Sequence, residues 1–518
     1  MLQHGAMSSR GEAQPARLRL LLDSNVVIAL EPYAGALEPS LASAARLVRL
    51  ANEQGHLLCV APATLDDLRQ SGDVTRRVQR IAELEKFHLL QEPPLEADLI
   101  CRAGDSPPGT NDHRDLRVLA ALDTGGATHL VSDDTRLRRR AARAGLAEAV
   151  LSLSEAVELL EGFAPAVFPA PPRVERPKTY TLNREQPIFA GLRADYPDFD
   201  MWLNKVRRES DTRTSYLIKD GDDYAAIALL KPEPDCEHDL EQPVTKISTF
   251  KVADGHGGVK YGELLLKTIF LEASRTKIAT LYVEVLPSHP EVLDFLADFG
   301  FEDCGARSEL GEHVMVKRLI PSLDDDDETD LEHHIRYGPP ALRARQAMYV
   351  VPIKPRWHDQ LFPECAQDRA RTEQLSLFPV ENPPLTHPWG NALRKAYLCN
   401  SPTKSIVPGD LLLFYRSEDW QAIAAVGIVE DIIRSRSPDE VMTFVGRRTV
   451  YTPQEVTAMC RGVGGLLALR FRQDRLITPP WALSELTFAG VLKSWPQSIT
   501  KVPRRGQEWV RERLDESP

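Results

Sequence analysis

Four aspartates define the chemistry open to this chain. Asp23 ends an apolar run in LLLDSNVVIAL, Asp67 lies in APATLDDLR, Asp115 in NDHRDLRVLAAL and Asp134 in LVSDDTRL. Carboxylates gathered from distant positions suit the holding of one or two hard divalent cations, Mg²⁺ or Mn²⁺ rather than zinc. An ion held this way makes bound water nucleophilic and offsets charge building on a phosphate. By register, Asp66, Asp112 and Asp133 are alternative ligands, and Asn25 and Ser132 are candidates to hydrogen-bond the ligands. Aspartate is also a common helix N-cap, and Asp23, Asp115 and Asp134 all precede helical patterns. Four coincident caps in this order are the weaker explanation.

The elements around these acids predict how they converge. RLRLLLD reads as a strand, SLASAARLVRLANEQ as an amphipathic helix, HLLCVAP as a second strand followed by a helix from Ala63. RDLRVLAALDTG reads as a helix, THLVSDD as a strand and TRLRRRAARAGL as a helix. Strands alternating with helices predict a parallel sheet with helices on its faces. Ligands of such sheets sit at the carboxyl ends of the strands, where Asp23 and Asp134 fall.

The order of the four acids resembles the PIN-domain family over roughly residues 17–160. That family has an acid after its first strand, an acid in a Pro-x-x-Leu-x-Glu-Leu-like helix, an Asp opening an Ala-rich helix and a final Thr-x-Asp after a strand. Here Ser132-Asp133-Asp134 takes the last place, and Asp67 stands where Glu is more usual. The resemblance implies a metal-dependent endoribonuclease acting on RNA, with Asp23, Asp67, Asp115 and Asp134 as catalytic metal ligands. Many PIN proteins are toxins, so an antitoxin or other regulatory partner is a further implication.

A second region follows. KISTFKVADGHGGVKYGELLLKTIFLEA reads as strand, Gly-rich loop and helix, an arrangement whose backbone N–H groups bind pyrophosphate. With the later YVEVLPSHPEVLDFLADFGFEDCG, it resembles the GNAT acetyltransferase superfamily over about residues 178–319. The resemblance implies acetyl-CoA held by Gly257, Gly258, Val259, Lys260 and Gly262. Of the family's Arg/Gln-x-x-Gly-x-Gly/Ala loop only the last glycine matches, because Gly257 and Lys260 occupy the earlier places. Lys260 either adds charge to a bound phosphate or blocks its approach. Phe295 replaces the family's common tyrosine acid, which leaves Glu284 as a base acting through water, or as a plain strand carboxylate. The implied activity is N-acetyl transfer to an RNA- or protein-linked amine. Phe189, Tyr196, Phe199 and Trp202, at near-helical spacing, read as core.

The last part carries strand-like runs MYVVPI, DLLLFYR, AIAAVGIVEDI and GLLALRFR between Pro and Gly turns, predicting a β-barrel. Its IVPGDLLLFYRSEDWQAIAAVGIVEDI resembles the PUA-like superfamily that includes ASCH and EVE domains. The ASCH signature is not intact, with only Gly390, Arg394 and Lys395 nearby. The resemblance implies RNA binding. Trp389, Arg394, Lys395, Tyr397, Arg416, Arg447 and Arg448 mix cations with aromatics, as phosphate contact and base stacking require. Buried aromatics with a solvated arginine face would give the same composition.

The predicted organisation is therefore an α/β chain of three domains: PIN-like (17–163), GNAT-like (178–319) and PUA-like (336–518). A Pro-rich linker (164–177) and an acidic linker (320–335) separate them. Across 518 residues, 42% of them hydrophobic, there is enough apolar surface for several cores. The net charge of -12 argues against attraction of the whole molecule to nucleic acid. From Arg336 onward, however, 25 Lys+Arg face 19 Asp+Glu. The seven cysteines include no C-x-x-C pair, which fits a reducing cytoplasm and gives no zinc motif. With no apolar run long enough to span a bilayer, no membrane association is expected. A non-enzymatic RNA-binding scaffold is the remaining alternative.

Overall fold

The computed structural model describes residues 17–30, 41–69, 84, 86–163, 173–253, 260–321, 328–365, 388–462 and 464–516. Contacts group the chain into two bodies. One holds residues 1–163 with 434–446 and 451–466; the other holds 164–433, 447–450 and 467–518. The segments read as GNAT-like and PUA-like thus share one body.

The first body is built on a parallel sheet of β1 (Arg19–Leu22), β2 (Leu57–Val60), β3 (His88–Leu89), β4 (His129–Val131) and β5 (Val150–Leu151), in the order β3-β2-β1-β4-β5. Leu20, Leu21 and Leu22 are all fully buried, as a central strand covered on both faces requires. Helices Leu41–Glu53, Pro62–Leu68, Asn111–Asp123 and Thr135–Arg143 follow the predicted pattern. One boundary differs. Thr110 accepts from the His113 N–H and starts its helix at Asn111, so Asp115 lies a turn inside rather than at the opening.

This body also includes helices Pro438–Val445 and Pro453–Cys460, which the sequence pattern assigns to the last segment. Arg19 pairs with Asp439 at 2.7 Å, and the Thr443 hydroxyl donates to the Thr128 carbonyl at 3.2 Å. Both contacts lie where β1 and β4 begin, opposite the strand ends that carry Asp23 and Ser132.

The second body has two sheets. The first comprises β6 (Thr214–Asp220), β7 (Asp223–Pro232), β8 (Val244–Val252), β9 (Thr280–Val285), β10 (Glu302–Arg307) and β11 (His313–Arg318), in the order β10-β11-β9-β8-β7-β6. The second comprises β12 (Met348–Ile353), β13 (Arg394–Cys399), β14 (Leu411–Arg416), β15 (Ala422–Ser435), β16 (Leu466–Ala482) and β17 (Thr500–Lys501), in the order β13-β16-β15-β14-β12-β17. Its edges are β13 and β17, so among the described residues the expected barrel is an open mixed sheet. Neither expected linker is free chain throughout. Glu175 exchanges backbone hydrogen bonds with Leu217, and Thr329 caps a helix at Asp330–Tyr337. Residues 164–172 and the acidic run 322–327 lie outside the described residues.

Candidate active site and the clefts around it

Asp23 follows β1 directly and lies buried at the carboxyl end of this central strand. Its Oδ1 accepts from the Ser24 N–H at 2.8 Å. Its Oδ2 accepts from the Ser132 hydroxyl at 2.6 Å and from Asn25 Nδ2 at 2.9 Å. Ser132 Oγ in turn accepts from the Asp134 N–H at 3.1 Å, so one hydroxyl ties the ends of β1 and β4 together. Asn25 and Ser132 thus take the supporting positions expected of them. Asp134 caps helix Thr135–Arg143, its Oδ1 accepting from Arg136 and Leu137.

The acids act on one another. Burial raises the Asp23 carboxyl above its ordinary range against the hydrogen bonds from Ser132 and Ser24, and the charges of Asp134 and Asp67 raise it further. Burial, then the charges of Asp23 and Asp134, push Asp115 up to about 7, with Arg140 opposing. Among the described residues, no ion pair neutralises Asp23, Asp115 or Asp134.

Asp67 differs from the other three. Arg114, nearly buried, holds it at 3.1 Å, and the alternative Asp66 pairs with Arg117 at 2.8 Å. The acid expected as a fourth ligand is therefore already neutralised. Among the described residues no group of three or more His, Cys, Asp or Glu side chains stands close enough to hold a metal ion as they are placed. The carboxylates are turned toward Ser24, Asn25, Ser132 and the helix N–H groups.

In the second body, β8 and β9 run parallel but pair only from Val244↔Thr280 to Lys246↔Tyr282. Beyond that they diverge and open a cleft of about 680 Å³ lined by Tyr196, Phe250, Glu284, His289 and Glu312, among others. Glu284, expected as a base, does face this cleft, but Lys246 holds it at 2.5 Å. Tyr196 donates to Glu312 at 2.6 Å, and His289 meets Asp195 at 2.9 Å. Tyr196 packs against the core, as its spacing predicts, while its hydroxyl reaches the cleft; the sequence pattern does not single out His289.

The expected CoA loop is only partly visible, since Gly257, Gly258 and Val259 lie outside the described residues. Lys260 adopts a left-handed φ of 62° and pairs with the buried Glu263 at 3.1 Å. Glu263 also accepts from the Leu393 N–H at 2.8 Å. Lys260 therefore serves an internal carboxylate. At Gly262 an added Cβ would stand 3.2 Å from Phe295, which stacks on Phe250. The glycine admits an aromatic ring at this point.

Of the residues expected to bind RNA in the last segment, those whose side chains are described are largely packed inside. Arg394 pairs with Glu430 at 2.5 Å and with Asp298 at 2.9 Å. Lys395 is fully buried and donates to the Leu361 and Gly390 carbonyls. The Tyr397 hydroxyl donates to the Pro352 carbonyl at 2.9 Å. Arg416 pairs with Asp419 at 2.8 Å and with Asp359, and lies over Trp420. Arg448 is buried. The side chains of Trp389 and Arg447 lie outside the described residues. These strands are covered on both faces, so aromatics and cations that suggested a binding face are packed inside.

No family model and no curated protein matches this chain. Parts of it are similar to solved structures. The ASCH protein from Zymomonas mobilis is 13% identical over 32% of this chain and 94% of its own, with a TM-score of 0.23. A GNAT-family acetyltransferase from Staphylococcus aureus Mu50 is 12% identical over 29% of this chain and 100% of its own, with a TM-score of 0.24. The PaiA N-acetyltransferase from Thermoplasma acidophilum, solved in complex with coenzyme A, is 15% identical over 28% of this chain and 99% of its own, with a TM-score of 0.22. At such values the likeness decides neither the fold nor the function of this chain. Among the described residues no helix is long and apolar enough to cross a membrane.

Proposed function

We propose that the first body is a PIN-type endoribonuclease that hydrolyses RNA phosphodiesters with a divalent metal ion. One observation carries the reading. Asp23, Asp115 and Asp134 come from three separate elements, Asp23 and Asp115 are raised by burial and by neighbouring carboxylates, and none of the three has an ion-pair partner among the described residues. Converging carboxylates without a cation cost stability and are a mark of functional sites. The donor set is all oxygen and its charge is unmet, which suits Mg²⁺ or Mn²⁺. Asp23, Asp115 and Asp134 would hold the ion, with Asp67 outside the set because of Arg114. The ion would supply a nucleophilic water and offset charge on the phosphate. The protein's own part is orientation: Ser132 and Asn25 fix Asp23, and the helix N–H groups fix Asp134.

The test is cleavage of total RNA by the purified full chain with Mn²⁺ or Mg²⁺. Asp23→Asn should lower the rate by more than about 100-fold, beyond the effect of losing an outer-shell partner. Undiminished cleavage by that variant rejects the assignment.

A second reading has its own observation, the cleft between β8 and β9. It supports binding of an acyl thioester such as acetyl-CoA. The pairing of Glu284 with Lys246 and the commitment of Lys260 to Glu263 weigh against Glu284 as an unassisted base. An RNA-reading role for the last segment, and a regulatory protein partner, rest on the sequence resemblances alone.

A further inference from the structure

Helix Thr135–Arg143 carries five arginines and no acid. They divide by environment. Arg140 is buried, and its guanidinium serves the Ala103 carbonyl at 3.0 Å and the Ser106 hydroxyl at 2.9 Å. Arg138 pairs with Glu155 at 3.2 Å. Arg136, Arg139 and Arg143 are exposed. Arg136 and Arg143 form no ion pair among the described residues. At about 100° per residue they lie within roughly 20° of the same face, about 10 Å apart along the axis, with Arg139 beside them.

Local structure does not account for this face. Like charges three and four residues apart weaken a helix by about 0.2–0.5 kcal/mol each. Arg136 stands in the first turn, where the helix dipole disfavours a cation. Nor do Arg136 and Arg143 pair with the acids: the cation that acts on Asp115 is the buried Arg140. The face begins two residues after Asp134.

We propose that the exposed arginine face of helix Thr135–Arg143 is a track for the phosphates of a single-stranded RNA whose scissile phosphate lies at Asp23, Asp115 and Asp134. The substrate class rests on the hydrolytic reading above. A cationic face about 10 Å long meets more than one phosphate, since a strand carries one per about 3.4 Å of helix rise. Asp23 is only 9% exposed, so the phosphate must be drawn into a recess, which a flexible single strand permits more readily than a duplex. The RNA contact surface thus falls on the body that carries the acids, not on the last segment, where the composition had suggested it.

The experiment measures binding of the full chain to a fluorescent oligouridine strand in EDTA across a salt series, so that no cleavage intervenes. Arg136→Gln/Arg143→Gln should flatten the log–log salt slope by about 0.7 per arginine, with the melting temperature not lowered. Arg138→Gln, whose partner is Glu155, should leave the slope as it is. A double variant with the parental slope overturns the proposal, as does a parent protein that binds no oligouridine. So does a double variant that loses binding to phosphatidylserine vesicles while keeping its RNA slope, since the face would then serve a membrane surface. Mn²⁺-dependent cleavage with an unchanged slope removes the track and keeps the nuclease. A flattened slope without cleavage by the parent removes the nuclease and keeps a nucleic-acid contact.

Discussion

Two buried regions of this molecule use the same residue types to opposite effect. Around Asp23 and Asp115, burial and neighbouring carboxylates raise the acids. Inside the second body, around Glu430 and Glu263, carboxylates are as deeply buried but are held down. Burial pushes Glu430 up, yet the guanidiniums of Arg394, Arg472 and Arg448 outweigh it and bring the carboxyl down to about 2. Glu263 is likewise lowered, burial being outweighed by Lys260 and Arg448. A buried carboxylate by itself therefore says little about function. What separates structure from chemistry here is whether the fold supplies the countercharge.

The largest effect should come from disturbing the satisfied region. Glu430→Ala would take from Arg394 and Arg472 the carboxylate they share, leaving Arg394 its contact with Asp298 and Arg472 its contact with the Asp298 carbonyl. Removing one partner of a buried ion pair costs about 3–5 kcal/mol. Urea unfolding of the variant should show a loss of that size with an unchanged denaturant slope. A loss under about 1 kcal/mol would mean that these charges are solvated and that the contrast between the regions is false.

The opposite substitution in the other region should stabilise. Burial and the charges of Asp23 and Asp134 push Asp115 up to about 7 in the folded chain, well above the ordinary aspartate range of about 4. Below pH 4 both states are protonated and nothing is lost. As pH rises toward 7 the unfolded chain releases the proton while the fold retains it, so metal-free stability falls across this window. Asp115→Asn removes that fall. At pH 8 without metal, the variant should be more stable than the parent by about 1–2 kcal/mol, a value discounted because the group is partly solvated. Added Mn²⁺ should raise the melting temperature of the parent and not of the variant. A destabilised, metal-free Asp115→Asn protein at pH 8 would show that the acids are already compensated.

The same contrast explains what could be read from the sequence. The strands and helices of the first body followed from alternation of apolar runs with amphipathic patterns, and Asp23 and Asp134 fell at strand ends as a parallel sheet dictates. The partner choices were not readable. Arg114 neutralises Asp67 across 47 positions, and Asp439 reaches Arg19 across 420. In the last segment the strands were recovered but their exposure was not. A strand covered on both faces loses the alternation that tells inside from outside, so Lys395 and Tyr397 looked like a binding face. Barrel closure depends on which edge strands meet, a property that local patterns do not encode.

Tyr397 gives the smallest and most discriminating test. Its ring meets Phe414 edge-on at 6.0 Å, its side chain is almost wholly buried, and its hydroxyl donates to the Pro352 carbonyl. If it is an internal strut, Tyr397→Phe deletes one buried hydrogen bond and leaves a carbonyl partly unmet. Such a change costs about 1 kcal/mol of stability and nothing in RNA affinity. If instead it were a platform for a base, its hydroxyl would face water and its loss would leave stability unchanged. Alanine at the platform would then cost about 1–3 kcal/mol of binding. The two readings therefore move different measurements. Thermal or urea unfolding of Tyr397→Phe should register the loss, while oligouridine affinity should equal that of the parent. Unchanged stability with weakened RNA binding would return the recognition surface to the last segment. It would also remove the reason for seeking that surface beside Asp134.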